Sequence, residues 1–369
     1  MQKGLCTPKD CDLEKVESKI SKNFNLLVTL KNGLQLLVKQ KSCPGEEISD
    51  EFLYEWQLYK FVQSANALQP LTVETVLFDA DNSILISKYL SDYNDLNDFY
   101  AKENSFPESI AALMGTSLAT IHHSTLENPE CKALFAKNHS LADLAGKMDP
   151  HKLMRLSPEV FGAVSLDAIE FFVLFQRYES LGKAIAEVIN SFTPRCLTHN
   201  DLKMANILLR ANWGGLSSDS GVIRFIDWEF CAWGDPAYDL GSLIASYLKI
   251  WLNSIVISSS IDIKEALRFA VTPLEYIQPS LVALVRAYLH RFPEILIHDP
   301  QFLSRVIQFS GLVLVDLIQT AIRNRESFDN TDICMLQIAK GLLCNPEHAT
   351  QSVFGVSESE LIGQPVLIG

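Results

Sequence analysis

Two short apolar runs, Ile207–Leu209 and Val222–Ile226, flank a loop over residues 211–221 that carries Gly214, Gly215 and several serines. Apolar runs bounded by turn residues pair as a hairpin, and the rest of the chain has to be arranged around this one. It puts Asn206 at the entrance of the first strand and Asp227 at the exit of the second, with Asp201 on the loop that feeds them. Singly, an Asp or Asn at a strand end is a turn former. Three together suit phosphoryl transfer from a nucleotide. Mg2+ takes one or two carboxylates besides the phosphate oxygens, which Asn206 and Asp227 offer. Asp201 stands apart, suited to orient an acceptor hydroxyl and take its proton. Lys203 is placed to neutralise charge on the transferred group.

The run His199-Asn200-Asp201-Leu202 with Asn206 resembles the catalytic loop of choline and ethanolamine kinases. Ile226-Asp227-Trp228-Glu229, then Gly234-Asp235-Pro236 and Asp239-Leu240, is similar to the aminoglycoside phosphotransferase pattern. The resemblance implies an α+β, protein-kinase-like bilobal fold, with a small antiparallel-sheet N-lobe and a mainly helical C-lobe. It implies ATP and Mg2+ as cofactors, Asp201 and Lys203 at the chemistry, and Asn206 and Asp227 on the metal. Asp239 is expected to brace the loop by hydrogen bonds, with His199 in support. Glu229 is a candidate for the acceptor pocket or an ordinary capping carboxylate.

Upstream, a β-rich run at residues 25–30 turns at Lys31-Asn32-Gly33 into a second at residues 34–40. Asn-Gly between two such runs is a strong hairpin signal. Lys39 matches the family lysine that holds the α- and β-phosphates. Its carboxylate partner is sought in an amphipathic helix over residues 51–62, where Glu55 is preferred and Glu51 competes. A glycine-rich phosphate loop is missing. Residues 21–25 (SKNFN) stand in its place, so Ser21 and Asn23 are the candidate phosphate contacts. Two further strands, 72–79 and 83–89, run into a hinge at residues 87–90, where Tyr89 or Leu90 would flank the base.

Helical patterns follow at 108–122, 168–178, 181–189, 241–252, 279–290, 301–323 and 331–343. The expected division is a nucleotide-binding lobe at 1–90, a helical lobe with the acceptor site at 91–345, and a C-terminal tail at 346–369, read as loosely packed. His122 and His123, at a helix end, read as cap or surface residues.

Of the 369 residues 48% are hydrophobic and 20% charged, a globular balance, and the formal net charge is -13. That charge disfavours a phosphate backbone, so no nucleic-acid partner is expected. Neither of the most apolar stretches, 171–175 and 311–318, is long enough to cross a bilayer, so no membrane partner is expected either. Eight cysteines without a CxxC pair and no export-type leader give a cytoplasmic expectation. The expected activity is kinase transfer to a hydroxyl of a small molecule such as an aminoglycoside, amino alcohol or sugar. A Ser or Thr of a ribosomally made peptide and a noncatalytic, nucleotide-binding pseudokinase are the alternatives.

Overall fold

The structure, a computed structural model, describes residues 13–19, 24–41, 51–138, 165–215, 221–255, 270–325 and 327–363. Strands β1 (Leu13–Lys19), β2 (Phe24–Leu30), β3 (Gln35–Gln40), β4 (Thr75–Asp79) and β5 (Ile84–Lys88) form one antiparallel sheet in the order β1-β2-β3-β5-β4. The Asn-Gly turn closes β2 on β3 as the sequence leads one to expect. Gly33 takes φ +83°, a left-handed angle that costs glycine little. The Asn32 side chain accepts from the Leu34 amide at 3.0 Å. Strand β1 was not anticipated, and residues 72–74, expected in β4, lie outside it.

Helix α1 (Glu51–Ser64) lies against this sheet and buries Phe52, Leu58, Phe61 and Val62. The chain then leaves the sheet through residues 89–92. A three-stranded sheet carries it onward, with β6 (Tyr93–Asp95) beside β8 (Ile207–Arg210) and β8 beside β9 (Ile223–Phe225). Ile207 pairs with Phe225, so the expected hairpin is present. Strands β7 (Cys196–Thr198) and β10 (Ala232–Gly234) pair on either side of it in sequence.

Among the described residues the rest is mainly helical: α2 (Leu96–Glu103), α3 (Glu108–Thr125), α4 (Pro129–Phe135), α5 (Leu166–Gln176), α6 (Glu179–Asn190), α7 (Pro236–Asn253), α8 (Leu274–Arg291), the single turn α9 (Ile295–His298), α10 (Phe302–Arg325) and α11 (Asn330–Cys344). Apolar residues three and four apart seam these together. Helix α10 is long and apolar enough to cross a membrane, yet 67% of its apolar window is buried against the rest of the protein, the behaviour of a core helix.

Helices α3 and α8 press backbone to backbone at Gly115. A Cβ there would stand 2.1 Å from the Leu284 carbonyl oxygen. Because the obstacle is main chain, the helices would have to part. Overpacking of this kind costs on the order of 1–3 kcal/mol. Gly115→Ala is therefore expected to lower Tm by several degrees, which differential scanning calorimetry would read; an unchanged Tm would show slack at the contact.

Of the segment expected as a loose tail, the described part forms two helices, α12 (Pro346–Phe354) and α13 (Glu358–Ile362), and residues 364–369 lie outside the described residues. They bury Ala349, Val353, Phe354 and Leu361. The Pro and Gly read as breaks are helix punctuation: Pro346 begins α12, and Gly355, at φ +71°, ends it.

Candidate active site

Lys39 is 7% exposed and sits between two carboxylates. Its Nζ is 3.3 Å from Glu55 Oε2 on α1 and 2.5 Å from Asp227 Oδ1 beyond β9. Glu51 goes elsewhere, to Lys41 at 2.7 Å, so the choice left open in the sequence falls on Glu55. A buried ammonium without partners costs several kcal/mol, and here two anions compensate it. Burial works to lower the Lys39 pKa, but Glu55 and then Asp227 hold it above the ordinary lysine range. Burial raises the Glu55 carboxyl, with Lys39 only partly offsetting it. Burial acts in the same direction on Asp227, yet the charge and hydrogen bond of Lys39 prevail and keep it below the usual aspartate range.

Asp227 adopts φ +61°, at the head of the turn Trp228–Phe230. Its side chain keeps 42% of its surface open, toward a cleft of about 370 Å3 lined by Lys39, Glu55, Thr75, Ser87, Tyr89, Leu90 and Asp227, among others. Tyr89 and Leu90 therefore both border the cleft, at the point where the two lobes join. The Tyr89 amide is engaged, donating to the Gln35 carbonyl at 2.9 Å.

On the other side of the hairpin, Asp201 borders a second cavity, of about 570 Å3, walled by Phe192, Phe230, Trp233, Tyr238 and Asp316. The two hollows share Ala205 as a wall. Asp201 Oδ2 accepts from Lys203 Nζ at 2.7 Å and from Asn206 Nδ2 at 3.0 Å. Asn206 Nδ2 also donates to the Asp201 carbonyl at 2.8 Å. A carbonyl can only accept, so the amide nitrogen must face Asp201, and Oδ1 is the Asn206 atom left for a ligand. Asn206 itself is 3% exposed and borders neither cavity. Glu229 borders neither of them; it lies inside the turn Trp228–Phe230. Ser21 and Asn23 fall outside the described residues.

The loop that carries Asp201 is held from below. Asp239, in the first turn of α7 and fully buried, accepts from the His199 amide at 2.7 Å and from the Asn200 amide at 2.9 Å. His199 Nε2 donates to the Ile226 carbonyl at 2.8 Å, tying the loop to the residue before Asp227. Asn200 takes φ +62°, a left-handed angle that Asn tolerates better than most residues. Its side-chain amide donates to the Phe230 carbonyl at 3.0 Å. Asp235 caps α7 through the Ala237 amide and pairs with the buried Arg305 of α10.

His122 corrects its reading as a cap or surface residue. It is fully buried, with Nε2 3.3 Å from Asp239 Oδ2 and Nδ1 2.8 Å from the Tyr288 hydroxyl. The available signal was its spacing: four residues after Leu118, it continues the apolar face of α3. Among the described residues no cluster of three or more His, Cys, Asp or Glu could hold a metal. An ion that arrives with its nucleotide needs only one or two protein oxygens.

The sequence profile of the phosphotransferase enzyme family matches residues 23–258. Among curated proteins none matches the chain. Among solved structures, an amicoumacin kinase in complex with AMP-PNP and Ca2+ aligns over 92% of this chain and 89% of its own, at 10% identity and a TM-score of 0.55. The GDP complex of aminoglycoside 2'-phosphotransferase-IIIa aligns over 92% and 95%, at 17% identity and a TM-score of 0.52. A choline/ethanolamine kinase family protein from Mesorhizobium loti covers 93% of each chain, at 16% identity and a TM-score of 0.50. At these identities the likeness is one of fold.

Proposed function

This chain belongs to the phosphotransferase enzyme family, and from that premise we propose that it transfers the γ-phosphoryl group of ATP, with Mg2+, to a hydroxyl of a small molecule. The observation that carries this reading is the pair of hollows meeting at Ala205, with Lys39 and Asp227 on one side and Asp201 on the other. Lys39 is assigned to the α- and β-phosphates, and Glu55 holds it in place. Tyr89 and Leu90 flank the base, while Ser21 and Asn23 remain proposed phosphate contacts. The half-open carboxylate of Asp227, which opens into the cleft beside Lys39, is a hard oxygen ligand of the kind Mg2+ prefers and fits that ion; Oδ1 of Asn206, a residue that borders neither hollow, is assigned as the second ligand. When bound, the ion supplies neutralising charge on the phosphate oxygens.

Asp201 faces the acceptor side. One of its oxygens is engaged by Lys203 and Asn206, and the other is available to orient the hydroxyl and accept its proton. Lys203 borders the same cavity as Asp201 and is assigned to the charge of the transferred group. Incubating the protein with Mg-ATP and a panel of aminoglycosides, amino alcohols, sugars and Ser- or Thr-containing peptides, then reading the mass added by one phosphoryl group (about 80 Da), tests the reading. Phosphorylation of a peptide alone would overturn the small-molecule part. Nucleotide binding with no product and no phosphate release would overturn catalysis.

The carboxyl shifts also set a pH dependence. As pH falls, Glu55 is protonated first, because its pKa is raised, whereas Asp227 stays ionised to lower pH. Nucleotide affinity is expected to weaken on an acid limb lying above the ordinary glutamate range. Glu55→Gln should lower affinity at neutral pH and move that limb down toward the Asp227 range. Titration of AMP-PNP from neutral to acid pH in both proteins reads it.

A further inference from the structure

Residues 65–74 carry the chain from α1 to β4 within the part built on the five-stranded sheet, yet a side chain of the three-stranded sheet holds them. Arg224 lies in the middle of β9, where it pairs with Leu208 of β8. Its Nη1 donates to the Thr72 carbonyl and, at 3.4 Å, to the Gln69 carbonyl. Its Nε donates to the Tyr93 hydroxyl at 3.2 Å, and the guanidinium carbon stands 5.7 Å from the centre of the Tyr93 ring. Tyr93 in turn donates to the Gly221 carbonyl at 2.5 Å. Gly221 takes φ +65°, and a Cβ there would stand 3.2 Å from both the Pro70 carbonyl oxygen and Arg224 Nη2, so the three segments close tightly on the guanidinium. A planar fork of donors suits such an array of acceptors better than a lysine ammonium does.

These contacts straddle the cleft of about 370 Å3. Thr72, Val73 and Thr75 border it from one side, and Tyr93, Leu208 and Phe225 from the other. The covalent link between the two sheets is the stretch 89–92, and a link of that kind alone lets two bodies swing. Packing of α1 on the turn Trp228–Phe230 also joins them, but apolar packing slides, whereas carbonyls bonded to one planar cation fix a register. The bridge from Lys39 to Asp227 crosses the same gap at 2.5 Å, but both of its ends are assigned to the ligand. Arg224 borders neither hollow and stays engaged when the cleft fills. We propose that Arg224 is a positioning residue: it pins residues 69–72 to β9 and Tyr93, and so holds the cleft at the width at which Lys39 and Asp227 reach one nucleotide. That consequence rests on the reading of the cleft as the nucleotide site; the clamp itself does not.

The test compares Arg224→Met, which keeps a long stem and loses every donor, and Arg224→Lys with the unaltered protein. Amide hydrogen exchange without nucleotide is the first readout. The amides of Tyr89 and Tyr93 are bonded to the Gln35 and Leu90 carbonyls at 2.9 and 3.2 Å. Arg224→Met should speed their exchange by about 5-fold or more while the α3 and α8 amides stay protected. Saturating AMP-PNP should restore the protection, and Lys, which keeps the charge and one reach to a carbonyl, should recover part of it. Unchanged exchange at these two amides, or a uniform rise through the protein, would overturn the clamp. Affinity is the second readout. With the competent width populated about a tenth of the time, the apparent affinity for AMP-PNP falls about 10-fold, and Arg224→Lys should lie between. Nucleotide then restores the width. Turnover of Mg-ATP, with an acceptor from the panel or with water, should therefore show the nucleotide KM raised about 10-fold and kcat lowered by less than about 3-fold. Equal losses in kcat and kcat/KM would overturn the proposal, because they mark an interaction made only in the transition state. Absence of AMP-PNP binding in the unaltered protein would instead defeat the nucleotide reading, and the exchange comparison would still decide the clamp.

Discussion

Asp201→Asn is expected to lower kcat by about 1,000-fold, within the range that a positioned general base contributes, with the affinity for AMP-PNP unchanged. The geometry separates the two effects. Asp201 borders the larger hollow and not the one that contains Lys39, and the amide is nearly isosteric with the carboxylate. The carbonyl oxygen of the substituted side chain can still accept from Asn206, as Oδ2 does now at 3.0 Å, so the loop should hold its shape. What disappears is the charge and the basic oxygen offered to the acceptor. Lys203 then loses its ionic partner at 2.7 Å; because both groups are partly solvated, the change in Tm should be small. Steady-state turnover and calorimetric titration of AMP-PNP check the two halves. Wild-type turnover in this variant would remove Asp201 from the chemistry.

Asp227→Asn is expected to act on the opposite side of the hairpin and to uncouple nucleotide binding from the divalent ion. Removal even of a group that orients a metal ligand costs about 10–100-fold in affinity, so loss of a ligand should weaken Mg-ATP binding by about 100-fold or more. The affinity for ATP measured in EDTA should change much less. Lys39 offers a second sign. It now divides its ammonium between Glu55 and Asp227, and with Asp227 neutral the Glu55 pair alone must compensate it. Glu55 should then be more firmly ionised, and the acid limb of nucleotide affinity should fall. Titrations with and without Mg2+ decide the matter. An unchanged Mg2+ dependence would take Asp227 out of the metal site.

Much of this was legible in the sequence because it is local. The hairpin around residues 211–221 and the Asn-Gly turn each follow from spacing over a few residues, whereas the pairing of Lys39 with α1 was carried by the resemblance to the family's lysine. Other features were not legible. Strand β1, LEKVESK, is rich in charge and lies on the sheet edge with Leu13 and Val16 exposed, so it lacks the alternation of a half-buried strand. The choice between Glu55 and Glu51 depends on how α1 meets the sheet, which no local pattern encodes. His122 was judged by its place at the end of a helix, whereas its environment is made by α7 and α8, far along the chain. The helices at 346–362 were hidden because the same Pro and Gly serve breaks and caps alike.

The Gly115 contact ties mechanical tolerance to turnover. Two helical turns beyond that glycine on α3 stands His122, and one turn beyond Leu284 on α8 stands Tyr288, so both partners hang from the same seam. A single methyl inserted at the seam would wedge the far end open and tilt the imidazole away from its carboxylate. Damage of that sort would register as sluggish chemistry in a protein whose two hollows are chemically intact.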